Sequence, residues 1–158
     1  MIRDDLIVTA VFLRELNCFD ISTLDDRIIV QKKIFLTEKF GVNLGYDFSW
    51  YIHGPYCPQL TEAVYECVPM GIHTFAGYSI SEDAGKAVRE VNKIEDLAEV
   101  VQMNHSQWLE LAASLAFWHE DATEESAIEN VERYKKQFSD KLIREAVVLL
   151  KEHTKLWG

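Results

Sequence analysis

Apolar residues recur at steps of three and four along most of the chain, a pattern that predicts a succession of amphipathic helices. Leu6, Ile7, Ala10, Leu13 and Leu16 make the first stripe, with Asp4 or Asp5 as its cap and Asn17 as its stop. Ser22 or Thr23 opens a second helix, Asp26 standing at the capping-box spacing from Thr23 and Asp25 suiting a positive N-terminus. Leu24, Ile28, Ile29, Ile34, Phe35 and Leu36 form its buried side, Gly41 ends it, and Gln31, Lys32 and Lys39 are expected to face water. Aromatic and β-branched residues then gather over residues 46–52 and stop at Gly54-Pro55, predicting one short strand followed by a tight loop. Pro58 fits the first turn of a third helix striped by Leu60, Val64, Cys67 and Val68. Residues 72–75 and 78–81, on either side of Ala76-Gly77, read as a small hairpin before a helix that starts near Ser81 or Glu82.

Beyond about residue 94 the pattern is entirely helical. Trp108, Leu111, Leu115 and Trp118 line one helix. Ile128, Val131 and Phe138 line a second, opened by Thr123, and Leu142, Ala146, Leu149, Leu150 and Trp157 a third. The expected fold is α+β, mostly α. A winged-helix-like part with a small β-hairpin spans 1–93, and a helical bundle over 94–158 packs on it to give a single compact domain. The third helix would then occupy the recognition position of a winged helix-turn-helix.

Composition narrows the class. The 158 residues are 48% hydrophobic and 27% charged, which describes a packed chain rather than a disordered one. Three cysteines at 18, 57 and 67, with no close pair, suit reduced thiols. The apolar run from Leu6 to Leu13 is too short for a signal peptide, and no window approaches a membrane span, so a cytoplasmic location is expected.

The net charge is −10, but it is unevenly spread. Residues 94–132 hold ten acids and no Lys or Arg, whereas residues 133–158 carry +4. No Lys or Arg lies between Lys39 and Lys86, the stretch containing the third helix, where Gln59, Thr61, Glu62, Tyr65 and Glu66 are the outward positions. Each carboxylate brought against phosphates would cost on the order of 1–4 kcal/mol. Nucleic acid is therefore disfavoured as a partner of that helix. A transcription regulator reading DNA through residues 133–158 remains the alternative, and an acidic mimic of nucleic acid a third reading.

Tests for reaction chemistry leave no catalytic set. His53, Cys57, Cys67 and His73 have a Cys2His2 composition, but a helix between the two sulfurs separates them by roughly 15 Å. The same separation forbids a disulfide. His119, Glu120, Asp121, Glu124 and Glu125 sit at a helix end, where acids serve as caps. Neither a phosphate loop nor a nucleophile elbow is present, so no enzyme, metal or cofactor is expected. Trp50, Tyr51 and Tyr56 cluster beside His53, Gly54 and Pro55, a composition that reads first as a packed corner and otherwise as an exposed aromatic patch of the kind that anchors interfaces.

The run Val30-Gln31-Lys32-Lys33-Ile34-Phe35-Leu36, followed by residues 44–60 with their aromatic strand and His53-Gly54-Pro55-Tyr56 corner, resembles the YwgA-like family of prokaryotic proteins. More remotely it is similar to the Panacea, or SocA-type, antitoxin domain. The likeness covers about residues 24–85. Lys33 replaces the Leu of the pattern and Cys57 a frequent Ser. The resemblance implies a non-enzymatic, toxin-neutralising or phage-defence-associated module that binds another protein. The contact residues expected on the chain's own pattern are Trp50, Tyr51, His53, Gly54, Pro55, Tyr56, Gln59, Glu62 and Tyr65. The expected partner is a toxin or other basic protein. A second copy of the chain, met through the C-terminal helices, is the other candidate, and no membrane partner is expected.

Overall fold

The computed structural model describes residues 1–120 and 122–157. Local caps account for most of the helix starts. Helix α1 (Asp4–Glu15) begins after Arg3 without a side-chain cap, so the acids expected as caps lie instead in its first turn. Helix α2 (Leu24–Lys39) has the full capping box, Thr23 accepting from the Asp26 amide and Asp26 accepting from the Thr23 amide. Strands β1 (Ser49–Tyr51) and β2 (Gly54–Tyr56) pair antiparallel, Tyr51 opposite Gly54, around a two-residue turn of Ile52 and His53. They are followed by α3 (Pro58–Cys67), α4 (Glu82–Val101), α5 (His105–His119), α6 (Glu124–Tyr134) and α7 (Asp140–His153). Ser81, Asn104, Thr123 and Ser139 cap these last four through their side chains. The chain is thus α+β and mostly α.

The hairpin is not where the sequence pattern put it. Residues 72–75 form a 3-10 turn and 78–80 an irregular segment, and one carbonyl in each is taken by a side chain. The Arg14 guanidinium of α1 donates to Phe75 O at 2.9 Å and to Tyr78 O at 2.8 Å, while the Phe75 ring is fully buried near Phe19. The two strands instead precede α3, and the residues expected to be the loop after a single strand are the second strand. Residues 46–48 stay outside the sheet. The Tyr46 amide donates to Glu38 Oε2 at 3.2 Å, and its hydroxyl lies 2.6 Å from Thr9 Oγ1 of α1.

Helix α5 is the centre. Trp108, Leu109, Leu111, Ala112, Ala113 and Leu115 are all fully buried, covering successive directions around the helix rather than one stripe. α2, α4, α6, α7 and strand β2 all pack on it, while α1 and α3 pack on each other beside α2. The Trp108 indole reaches α4, donating to Ile94 O at 2.6 Å. One apolar cluster runs from Leu6 in α1 to Leu150 in α7, and residues 93 and 94 fall inside α4. Among the described residues no helix is long and apolar enough to cross a membrane.

Gly54 seats the hairpin on α5. Its φ is +90°, a region that side chains rarely adopt, and a Cβ there would lie 2.9 Å from Ser114 Oγ. Gly54→Ala is expected to destabilise the protein by roughly 2–4 kcal/mol, strain and overpacking acting together. Urea denaturation measures it; a loss below about 0.5 kcal/mol would show that the strand does not need this close approach.

Candidate functional site

The hairpin is held from inside by polar side chains that helices α2 and α5 and the α6–α7 junction bring together. Gln31 of α2 acts as a clamp. Its Oε1 accepts from the Cys57 amide at 2.9 Å, and its Nε2 donates to Cys57 O at 3.1 Å and to Thr61 Oγ1 at 2.9 Å. The next residue, Lys32, donates from Nζ to Pro55 O at 2.7 Å. Lys135, the C-cap of α6, donates to Ile52 O in the turn and lies 3.3 Å from Glu110 Oε2. Glu110 of α5 completes the set, Oε1 lying 3.3 Å from His53 Nδ1 and Oε2 accepting from Gln137 at 2.9 Å.

Gln31, Lys32, Glu110 and Lys135 are all buried. An ammonium removed from water loses several kcal/mol of hydration, and the carbonyls and Glu110 return only part of it. Burial accordingly pulls the Lys32 amine down to about 7, Glu110 acting in the opposite direction and Lys135 adding to the depression. A neighbouring ion chain has the same character. Lys33, fully buried, donates to Leu16 O and to Glu95, and Glu95 and Glu99 bracket His105 at 3.1 and 2.9 Å. The two carboxylates raise the His105 pKa, Glu99 most strongly.

These lysines overturn the expectation that Gln31 and Lys32 face water; only Lys39 is partly exposed, beside Glu120 at 2.7 Å. The reason is angular. Three consecutive residues span about 200° of a helix, and α2 has α5, the hairpin and α4 on different sides, so the run Gln31-Lys32-Lys33 has no solvent face wide enough to hold it. The buried roles of Glu110 and Lys135, which lie 25 residues apart on different elements, had no local signal.

The expected contact residues divide into two groups. Gly54 and Pro55 are buried and structural. Trp50 is half-buried in an aromatic cluster, its ring 5.1 Å from Trp118, 5.5 Å from Phe117 and 6.0 Å from Tyr134, with Lys135 Nζ 5.2 Å from its centre. Tyr56 is also half-buried; its ring packs edge-on against Tyr51 and its hydroxyl lies 2.8 Å from Thr61 Oγ1. Tyr51, His53, Gln59, Glu62 and Tyr65 are exposed. The turn residue Ile52, which the sequence reading did not select, is 84% exposed and is the most prominent apolar side chain of the hairpin.

The acidic run is less free than its composition implied. Glu95, Glu99, Glu110, Glu120, Glu124 and Glu125 each have a basic side chain within ion-pair distance, Glu124 meeting Lys151 and Glu125 meeting Arg144. Asp121 lies outside the described residues. All three cysteines are free and buried, and burial pushes Cys18 up to about 12 and Cys67 to about 11. Among the described residues no three of His, Cys, Asp and Glu gather to hold a metal ion.

The fold and site define a mostly helical α+β protein whose small hairpin is fixed by buried charged groups. Comparison adds no identity: no family model, no curated protein and no solved structure matches the chain.

Lys32 has a measurable consequence. Its folded pKa, about 7, is below the 10.5 of an unfolded lysine, so between these values the unfolded chain binds more protons. This contribution therefore makes stability rise with pH across that window, the penalty being complete below about 7. Lys32→Met is expected to flatten the rise, with urea midpoints at pH 7 and pH 10 as the measurement. An unchanged slope in a folded variant would mean that Lys32 stays protonated.

Proposed function

We propose that the protein is a non-enzymatic protein-binding module whose contact surface is the β1–β2 tip, extended by Tyr65 and the exposed side of α3. The observation that carries this reading is the contrast at the turn. Ile52 is 84% exposed and Tyr51 47% exposed, yet the carbonyl of Ile52 is gripped from below by Lys135. Apolar groups presented on a backbone already fixed lose little freedom when a partner covers them, which is how a few anchors come to dominate an interface.

Tyr134, 49% exposed, stacks on Trp118 and lies beside Trp50, widening the aromatic surface on one side of the hairpin. Gln59, Glu62 and Tyr65 continue it on the other side. The resemblance to toxin-neutralising domains supports a protein as the partner and neutralisation as the role. The ion pairing of six acids in residues 94–132 favours the hairpin over the acidic run as the contact surface.

Tagged full-length chain is compared with a Tyr51→Ala, Ile52→Asp double variant, both checked for an unchanged thermal midpoint, in co-purification from native lysate. A protein recovered by the first is expected to be depleted at least about tenfold with the second, the effect of losing interface anchors. Equal recovery, or no specific recovery by the unaltered chain, overturns the reading.

A further inference from the structure

Between α2, α3 and the inner side of the hairpin lies a groove of about 240 Å³, lined by Leu24, Arg27, Ile28, Gln31, Lys32, His53, Tyr56, Thr61 and Tyr65. Its chemistry is opposite to that of the chain. The protein carries −10, yet three basic side chains and no carboxylate line this groove among the described residues. The acid of the local network, Glu110, stands behind it against Lys135 and His53.

Arg27 and Lys32 have donors to spare. Arg27 uses one guanidinium nitrogen on Ile21 O at 3.0 Å. Lys32, buried and aimed at Pro55 O, makes one hydrogen bond with an ammonium that carries three N–H groups. His53 meets Glu110 through Nδ1, so its other ring nitrogen donates to a ligand only when the imidazole carries both protons. On the apolar side stand Leu24, Ile28 and the half-exposed Tyr65. A planar guanidinium fork beside a buried ammonium matches a carboxylate, and the aliphatic and aromatic wall matches a ligand body that inorganic anions lack.

We propose that this groove binds organic acids, the carboxylate meeting Arg27, Lys32 and His53 and an apolar or aromatic body lying on Leu24, Ile28 and Tyr65. The volume suits a molecule of about the size of benzoate to phenylalanine. A free acid and the terminal carboxylate of a polypeptide share this chemistry. The site does not depend on the hairpin tip being a contact surface.

An anion beside Lys32 restores the ammonium that burial disfavours, since the amine lies near 7 in the empty groove. Binding above that pH is therefore accompanied by proton uptake.

The test uses the full chain, isotope-labelled, titrated with N-acetylphenylalanine, its uncharged amide, inorganic phosphate and a hexapeptide ending in phenylalanine. The acid is expected to bind with a dissociation constant below about 1 mM and to shift the Gln31 side-chain and His53 resonances. The amide and phosphate should bind at least about tenfold more weakly. Arg27→Gln and His53→Gln, both at partly exposed positions and each verified as folded, should weaken the acid by about tenfold. Calorimetry at pH 8 in two buffers of different ionisation heat should show uptake approaching one proton. Equal affinity for hexapeptide and free acid assigns the site to free acids; at least about tenfold tighter hexapeptide binding assigns it to chain ends. Absence of shifts in the groove, equal binding of acid and amide, phosphate binding as tight as the acid, unchanged affinity in both variants or no proton uptake each overturns the proposal.

Discussion

Two main-chain carbonyls of the hairpin, those of Ile52 and Pro55, and that of Cys57 directly after it are covered by Lys135, Lys32 and Gln31 from the helices beneath. An isolated two-stranded hairpin is marginal in water, and here each strand is three residues long. Its position is therefore set by the side chains that reach it. Leaving a buried carbonyl unpaired costs about 1–3 kcal/mol, so the hairpin has one favourable seat. The same contacts explain why Lys32, Lys135 and Glu110 are found in the interior. Glu110 sits between the buried Lys135 and the exposed His53, and without it the Lys135 ammonium would lack a carboxylate partner.

This constraint reaches back into α2 and α5. Helix α2 has no consistently polar face because it serves three neighbours: Gln31 and Lys32 hold the hairpin, Lys33 holds Leu16 O and Glu95 of α4, and Ile34 and Leu36 fill the core. Helix α5 is apolar nearly all round and accepts the hairpin where Ser114 faces the missing side chain of Gly54.

The parts of this arrangement written locally were legible. The capping box at Thr23 and Asp26, the Thr123 cap and the cores of the α3 and α6 stripes require only neighbouring residues and formed where the spacing placed them, whereas Val68, Phe138 and Trp157 fall beyond the ends of α3, α6 and α7, and α7 buries Ile143 and Val147 beside Ala146 and Leu150. The failures have a common cause. Residues 72–75 and 78–81 have hairpin composition, but Arg14, about sixty positions earlier, takes the carbonyls of Phe75 and Tyr78. Lysine in a helix reads as exposed until the carbonyl that receives it is known, and that carbonyl lies 23 residues away for Lys32 and 83 for Lys135. The aromatic Gly-Pro corner was identifiable as special. Its division into a buried seat, Gly54 and Pro55, and an exposed tip, Tyr51 and Ile52, was set by pairing that the sequence pattern did not contain.

The anchors also tie the tip to the groove. His53 belongs to the turn that presents Ile52, lines the groove and faces Glu110; Lys32 holds Pro55 and lines the same groove. An anion accepted by these two residues changes the charge balance around Glu110, and Glu110 is the carboxylate that neutralises the lysine holding the Ile52 carbonyl. Occupation of the groove and the setting of the tip therefore share one electrostatic centre. Coupling between them needs no long-range displacement, because the two surfaces are opposite sides of a single turn whose backbone the same charges define.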